Sequence, residues 1–214
     1  MSESIKDVFD ENYFLRGVEC GTSCYQNYSW HPDLTIPMSY FILKYLGVRD
    51  TETIGELGTA RGYFVKACRL FGFQAFGWDI SEWAVNSADN ETRKYLKIST
   101  EDNTVPFNME FDYVIAKDVF EHIPENCIDK VLRDLSKSGK NLFAIIPLGK
   151  NDKYIIPAYS LDVTHVLAKD KDWWITKFEK NGWKLKEFSF YVGGIKESWK
   201  NFEEGNGFFL LMRN

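Results

Sequence analysis

Apolar positions along the chain fall into short extended runs separated by stretches of helical period. The runs "ETIGEL" (52–57), "FQAFGWDI" (73–80), "FDYVIAK" (111–117) and "NLFAIIP" (141–147) have the length and apolar density of buried strands. Between them lie "YFVKACRLFG" (63–72), "SEWAVNSA" (81–88) and "PENCIDKVLRDLSKSG" (124–139), where apolar residues recur three and four positions apart. The punctuation agrees: Ser81 stands where an N-cap acceptor is needed, and Gly72, Gly139 and Gly182 close helical stretches. Strands alternating with helices predict βαβ units and a parallel sheet covered on both faces.

After Pro147 the pattern changes. Residues 148–172 hold two short apolar pieces and no helical period, and irregular connections of that length are usually lids or binding loops. A helix in "WWITKFEKNG" (173–182) precedes two strand-like runs, "WKLKEFSFYV" (183–192) and "GFFLLMRN" (207–214). Their connection is too short for a crossover helix, so they are expected to form an antiparallel pair added at the sheet edge. Trp173 and Trp174 head that helix, and at least one is expected in the core.

Residues 1–50 precede the repeat and read as an N-terminal helical and aromatic cap, with 51–214 as the main domain and the whole as one compact unit. In "IPMSYFILKYLG" (36–47), Ile36, Tyr40 and Leu43, flanked by Phe41 and Tyr45, make an apolar face suited to the sheet. The aromatic stretch "CYQNYSWHP" (24–32) fits two roles. Tyr25, Tyr28 and Trp30 either pack in a core or close over a ligand.

Composition narrows the classes. A chain of 214 residues with 44% hydrophobic and 27% charged residues is globular and of single-core size. A net charge of −5 suits a polyanion partner poorly, so nucleic acid is an unlikely partner. No apolar run has membrane-span length, the start "MSESIKDVFDENYF" lacks the layout of a secretory leader, and a cytoplasmic location is expected. Four cysteines are too few for a disulfide scaffold, and the Cys20–Cys24 spacing lacks the second ligand pair of a zinc site. Reduced thiols and no metal site are the expectation.

The candidate chemistry starts in "TIGELGTARGYF" (53–64), where a strand enters a turn holding Gly58 and Gly62 and a helix follows at once. Such turns bring backbone N–H groups against a ligand, Gly58 allowing the tight turn and Gly62 a close approach. The later glycines of a dinucleotide fingerprint would fall on Ala60 and Tyr63, and the P-loop pattern does not fit. The next strand ends in Asp79, placed where a carboxylate accepts hydrogen bonds from the vicinal hydroxyls of a ribose. Turn and acid together point to a nucleoside.

On these motifs the chain resembles the class I S-adenosylmethionine-dependent methyltransferases. "ELGTARGYF" is similar to their first motif and "GWDIS" to their acid-bearing second, while "FDYVIAKDVFEHIP" resembles a segment of small-molecule and glycan methyltransferases. The resemblance covers residues 51–147 and implies a Rossmann-like α/β fold with a mostly parallel sheet, helices on both faces and an antiparallel terminal strand. It further implies that Glu56, Gly58, Thr59, Ala60, Gly62 and the following Phe64 line the methionine side of S-adenosylmethionine. Asp79 would take the ribose, Ile80 would pack on adenine, and either Glu101 or Asp102 would face the adenine edge. Lys117 and Asp118 would lie beside the methyl group, with S-adenosylhomocysteine as product.

Transfer to a hydroxyl requires a base near neutrality, and the chain has three histidines. His122 follows the fourth strand, and its alternatives are catalysis and a structural hydrogen bond. His165, in "LDVTHV", resembles a motif after the fifth strand of sugar and glycan methyltransferases; the other reading is that Asp162, Thr164 and His165 brace the loop. Asp118, His122 and His165 are thus the catalytic candidates, and the expected partner is a small-molecule or glycan acceptor, probed through a hydroxyl. Nucleic-acid or protein methylation, and a binding module without turnover, are the competing readings. No divalent requirement is expected, because the acids near the fourth strand lack the paired pattern of metal-assisted catechol-type enzymes.

Overall fold

The computed structural model describes residues 5–214. The first four residues, which begin both the cap and the segment read as lacking a leader layout, lie outside the described residues. Nine strands form among the described residues: β1 (Thr53–Leu57), β2 (Gln74–Asp79), β3 (Leu96–Ile98), β4 (Phe111–Lys117), β5 (Gly139–Pro147), the two-residue pair β6 (Gly149–Lys150) and β7 (Lys153–Tyr154), β8 (Trp183–Ser189) and β9 (Asn206–Arg213). Seven build one sheet in the order β3-β2-β1-β4-β5-β9-β8, with β6 and β7 a separate hairpin. The first five run parallel, while β9 is antiparallel to both β5 and β8.

Alternation along the strands sorts side chains to two cores. Leu142, Ala144 and Ile146 of β5, with Phe209 and Leu211 of β9, face helices α8 (Glu125–Ser138) and α9 (Lys171–Lys180). Phe143, Ile145, Phe208 and Leu210 face helices α4 (Pro32–Leu46) and α5 (Tyr63–Leu70) on the other side. The helices are short of nothing on their inner faces: α8 buries Ile128, Leu132 and Leu135, one helical stripe. Trp174 is fully buried and Trp183 donates its indole N–H to the Leu132 carbonyl at 3.0 Å. Short helices α6 (Glu82–Asn86) and α7 (Asn90–Arg93) link β2 to β3, and α1 (Ile5–Val8), α2 (Glu11–Leu15) and α3 (Gly17–Cys20) lead the described chain.

Three local expectations change. Helix α4 starts at Pro32, a residue pre-set for a first helical turn, and carries Pro37 inside rather than at its head. Its buried stripe is therefore Ser39, Ile42, Leu43 and Leu46, while Tyr40 is 48% exposed and Phe41 lies at the rim. Phe41 packs so close to Gly194 that a Cβ there would come within 2.1 Å of its ring. Strand β3 has only three residues, too few for alternation to mark it in the sequence. The antiparallel pair forms as expected, with the last strand seated inside the sheet and β8 at the edge.

Within the irregular segment 148–172, only the β6–β7 hairpin and a 3₁₀ turn at Pro157–Leu161 form before α9 begins at Lys171. The cap is stitched to the rest of the chain: Ile42, Leu43 and Leu46 share a core with Ile54 and Ile145, and Arg61 donates to the Tyr28 carbonyl at 3.1 Å. No helix among the described residues is long and apolar enough to cross a membrane.

Because β1 lies between β2 and β4, the connections leaving β1 and β4 part in opposite directions across the sheet. Open α/β sheets hold ligands in the crevice made there, outside the carboxyl ends of the strands. Gly62 helps to shape that end: its φ is +74°, and a Cβ would meet Leu96 and Thr92 at 2.8 Å. Replacing Gly62 with Ala is expected to cost about 2–4 kcal/mol, from the left-handed backbone and the overpacking together. Urea denaturation measures it, and an unchanged midpoint would refute this packing role.

Candidate active site

The turn after β1 is drawn tight by its own backbone. The N–H groups of Gly58 and Thr59 both donate to the Trp78 carbonyl of β2, and Gly62 donates to Thr59 at 2.8 Å. Gly58, Ala60 and Gly62 all have positive φ, so the amides in this bend point in directions an ordinary turn would not allow. A Cβ on Gly58 would lie 2.3 Å from Val119, and its absence lets the loop after β4 close against the turn. The missing side chains thus serve contacts within the protein: Gly58 admits Val119, and Gly62 admits Thr92 and Leu96.

Two carboxylates flank the turn. Asp79 ends β2, where one oxygen accepts from Ala60 N–H at 2.7 Å and the other from Ser81 N–H at 2.8 Å. Each oxygen keeps a lone-pair direction for a further donor. Burial pushes Asp79 above the usual carboxylate range despite those backbone donors. Glu56, buried in β1 and hydrogen-bonded by the Thr59 hydroxyl, is pushed up to about 8, chiefly by burial. A desolvated pair of this kind, with Glu56 protonated at neutral pH, favours a ligand that brings hydroxyl donors or a positive charge.

At the end of β4 the chain places a second charged group. Asp118 has φ +54°, which aims its carboxylate between the ammonium groups of Lys117 and Lys196. Burial opposes its ionisation, but the two lysines outweigh burial and hold Asp118 well below the usual range. Lys196 is itself left-handed at φ +55°, its side chain only 7% exposed, and it donates to Tyr159 Oη at 2.7 Å and to Asn206 Oδ1 at 2.8 Å. Burial lowers the Lys196 ammonium, whereas Lys117, also disfavoured by burial, is raised overall by Asp118. Two non-glycine residues held in sparsely populated backbone and joined by an ion pair form a strained junction of the sort that gathers at functional sites.

The loop holding His165 closes this end from the other side. Tyr13 of the cap donates to Asp162 at 2.9 Å, and the other Asp162 oxygen accepts from the Thr164 N–H and hydroxyl. Thr164 Oγ1 lies 2.7 Å from His122 Nδ1, and His165 Nδ1 lies 2.7 Å from the Tyr159 carbonyl. Since a carbonyl only accepts, His165 carries its proton on Nδ1; since the Thr164 hydroxyl donates to Asp162, His122 does the same. Both rings therefore turn a free Nε2 lone pair away from these partners. Burial, then the neighbouring His165, pulls His122 down to about 4, and burial lowers His165 too, so both are neutral at pH 7.

Of the residues singled out in the sequence, Glu56, Gly58, Thr59, Ala60 and Asp79 gather at the turn with Ile80 beside them, and Lys117 and Asp118 adjoin through the charges of Glu56 and Lys117. His122 and His165 meet with ring centroids 4.5 Å apart. Phe64 lies instead in the core with Ile42 and Val65. Glu101 and Asp102 are exposed after β3 and make no side-chain hydrogen bond among the described residues. Cys20 and Cys24 are exposed free thiols. Tyr25 and Tyr28 pack with Phe14, and Trp30 against Tyr63, which favours the packing role for the aromatic stretch.

The fold also assembles what the sequence left unmarked. Lys196 comes from the β8–β9 connection, where no period or motif sets it apart, and Tyr159 and Asn206 join it only through folding. Glu121 was visible in "FEHIP" and is wholly buried. No metal-type cluster was expected, yet Glu121, His122 and His165 offer ligand atoms all within 4.8 Å of one another. Forty-odd residues of intervening chain hide that meeting from any spacing rule.

Glu56 sets a pH signature. It is protonated up to about pH 8 in the fold but only to about 4.5 as an ordinary carboxyl, so the folded state holds the extra proton between these values and loses stability as pH rises through them. His122 acts in a different window, losing stability as pH falls from 6.5 to about 4. The variant Glu56→Gln does not titrate, so its stability relative to the wild type is expected to climb from pH 4.5 to 8 and level off outside. Denaturant melts across that range test this; a constant difference would contradict it.

Comparison with known proteins agrees with the geometry. A family model described as "Methyltransferase domain" matches residues 41–185. No curated protein matches in sequence. Among solved structures, the phosphoethanolamine N-methyltransferase 2 of Haemonchus contortus, in complex with S-adenosyl-L-methionine, aligns with a TM-score of 0.69 at 14% identity over 99% of this chain and 60% of that one. A TehB-like S-adenosylmethionine-dependent methyltransferase from Corynebacterium glutamicum aligns at 0.63 and 9% identity over 93% of both chains. One from Archaeoglobus fulgidus aligns at 0.62 and 15% identity, over 82% of this chain and 92% of that one. With the family model matching more than half of the chain and the strand order of the sheet in agreement, the chain belongs to the methyltransferase domain family and is a class I enzyme dependent on S-adenosylmethionine.

Proposed function

We propose that the protein methylates a small polar acceptor, a hydroxyl of a sugar or glycan, held in the cleft beside Lys196. The cofactor supplies an electrophilic methyl group on a sulfonium when bound. The residues at the turn fit it: Glu56 and Asp79 are buried carboxylates, which suit its cationic and hydroxyl groups, and the left-handed bend at Gly58 and Ala60 leaves backbone close by. Asp79 would hold the ribose, Glu56 and the turn the methionine end, and Ile80 the adenine. Lys117 and Asp118 would border the methyl. Glu101 and Asp102 are exposed after β3, and their surroundings add no support for an adenine-edge role.

The observation that carries the acceptor reading is the double position of Lys196. It lines a cleft of about 320 Å³ and at the same time grips Asp118 at the end of β4. The cleft and the end of β4, where transfer would occur, therefore share this lysine. Phe190, Tyr191, Trp199 and Phe202 supply its apolar faces, and Lys200, Glu203 and Asn206 its polar groups. Aromatic faces with a mixed-charge rim suit the alternating apolar and hydroxyl faces of a sugar, and the volume suits one or two rings rather than a polymer. The acidic net charge and the glutamates on the rim oppose a nucleic acid. The Haemonchus relative is named for a small acceptor, phosphoethanolamine, which is in keeping with this size class.

In this reading Asp118 and its two lysines border the acceptor site, and the neutral imidazole of His165 packs against Tyr159, the partner of Lys196, with ring centroids 5.9 Å apart. Chemistry of this kind demands mainly alignment and exclusion of water. The cap contributes to exclusion through the Tyr13–Asp162 bond and the Phe9 ring set edge-on to His122 at 5.6 Å.

Two measurements test the reading. Asp79→Ala removes the proposed charge-assisted bonds to the ribose and is expected to weaken S-adenosylhomocysteine binding by about 10- to 100-fold in calorimetry. Unchanged affinity would overturn the assignment of that carboxylate. With an acceptor found by screening sugars, nucleotide-sugars and small amines, Trp199→Ala is expected to raise the acceptor KM by about tenfold, the worth of one aromatic contact, and leave cofactor affinity alone. Transfer to RNA or polypeptide but to no small acceptor, or cofactor binding with no transfer at all, would overturn it.

A further inference from the structure

Glu121 is a buried carboxyl group beside this site that no side chain pairs with among the described residues, although the ammonium groups of Lys117 and Lys196 act on it from a distance. It is fully buried, and among the described residues neither carboxylate oxygen has a hydrogen-bond partner. Its neighbours are spoken for: Asp118 is held by Lys117 and Lys196, and Asp162 by Tyr13 and Thr164. Only the main chain of Glu121 is engaged, its carbonyl accepting from Val166 and Leu167 at 2.9 and 3.1 Å. Leaving a carboxylate desolvated and unpaired costs several kcal/mol unless it is neutralised. A carboxyl group kept there without a side-chain partner is available to a cation that arrives from outside.

What surrounds Glu121 narrows the choice of counter-charge. His122 and His165 present a ring nitrogen each, and these two and a Glu121 oxygen all lie within 4.8 Å of one another. Both rings have Nδ1 tied off, to Thr164 Oγ1 and to the Tyr159 carbonyl, which fixes the tautomer that leaves Nε2 as a lone-pair donor. Behind His122 the chain continues Thr164 to Asp162, the carboxylate-backed arrangement that orients a ligating imidazole. The Tyr154 hydroxyl, near enough for the Glu121 charge to affect it, is a second buried oxygen without a partner. An organic ammonium would use Glu121 but would gain nothing from two neutral imidazoles at the same point, whereas a metal ion uses all three.

We propose that Glu121, His122 and His165 form a binding site for one divalent transition-type cation, of which Zn²⁺ is the natural representative. The donor set of two imidazoles and one carboxylate suits Zn²⁺ or Co²⁺ and disfavours Mg²⁺ and Ca²⁺, which seek oxygen cages. Ligand atoms around a tetrahedral ion with bonds of about 2 Å lie roughly 3.3 Å apart, so the three side chains need close by at most about 1.5 Å, within the reach of χ rotations. Three protein ligands leave a fourth position open. The surroundings hold charges of both signs: Asp118, Lys117 and Lys196 act on Glu121, and Asp118 and Asp162 act on His122. The inference deepens the acceptor reading above, since an acceptor oxygen could take the open position, but it stands on Glu121 and is read without any acceptor.

The test uses the full chain stripped with a chelator and dialysed against Co²⁺ or Zn²⁺. One ion per chain is expected by elemental analysis, with visible cobalt bands of nitrogen and oxygen ligation and no near-ultraviolet thiolate charge transfer. Millimolar Mg²⁺ should not displace it. Glu121→Gln and His165→Ala should each abolish stoichiometric binding, and Thr164→Val should weaken it by about 10- to 100-fold through loss of the support behind His122. A thiolate signature, which would place the ion at Cys20 and Cys24, overturns the proposal, as does binding that persists in the Glu121→Gln, His165→Ala double variant, or no binding at all. Should a variant fail to fold, the cobalt spectrum of the wild type still decides between the two donor sets. S-adenosylhomocysteine calorimetry on the stripped protein, and retention of cobalt by Asp79→Ala, separate failure of this site from failure of the cofactor reading.

Discussion

The carboxylate of Asp118, buried between the ammonium groups of Lys117 and Lys196, is the interaction on which the architecture of the site depends. A lone carboxylate at that depth would be driven to neutralise, and two lone lysines would lose their charge. Together they form a charged group that can stay ionised, and the pairing joins four parts of the chain: β4, the β8–β9 connection and, through Tyr159 and Asn206, the irregular segment and the start of β9. Its cost is visible in the backbone, where both Asp118 and Lys196 take left-handed conformations. The surrounding packing must hold that strain, and the Phe41–Gly194 contact beside Lys196 is part of how it does so.

Around this junction the site divides into two halves with different physics. On the β1–β2 side the chain offers backbone amides, a tight bend and two desolvated carboxylates, a setting that recognises charge and hydroxyls through fixed dipoles. Across β4 lie aromatic faces, paired charges and neutral imidazoles, a setting in which an acceptor can be held and water kept out. The cap spans both halves. Ser81 donates its hydroxyl to the Phe9 carbonyl at one end, and Tyr13 reaches Asp162 at the other. Motion of the first helices would therefore expose both halves together, and ordering of the irregular loop is tied to ordering of the cap.

The large features of the fold were legible because they follow from local rules. Periodicity separated strands from helices, Ser81 and Gly72 marked helix ends by capping chemistry, and the antiparallel pair followed from a connection too short to cross over. What local rules could not reach was the facing of α4, where Tyr40 and Phe41 look as apolar as Ile42 and Leu43 but the sheet accepts only one stripe. Strand β3 failed for a different reason: three residues carry no period, and pairing with β2 is what makes them a strand.

The site divides along the same line. Asp79 and the Gly58 turn could be found in the sequence because a strand end, a bend and an acid lie in fixed order along the chain, and a parallel sheet brings the ends of adjacent strands to one edge. Lys196, Tyr159 and Asn206 could not, since nothing in their own neighbourhoods distinguishes them from surface residues. The same holds for the reason behind Gly62, whose neighbours Thr92 and Leu96 belong to later elements. By itself the sequence determined the α/β class, the strand-end turn and the acid that closes the next strand, because those depend on residues close together in the chain. Only the tertiary structure decided which charges meet, which histidines face each other and which carboxyl group is left without a side-chain partner, because burial and long-range contact set those energies, and neither is a property of the chain before it folds.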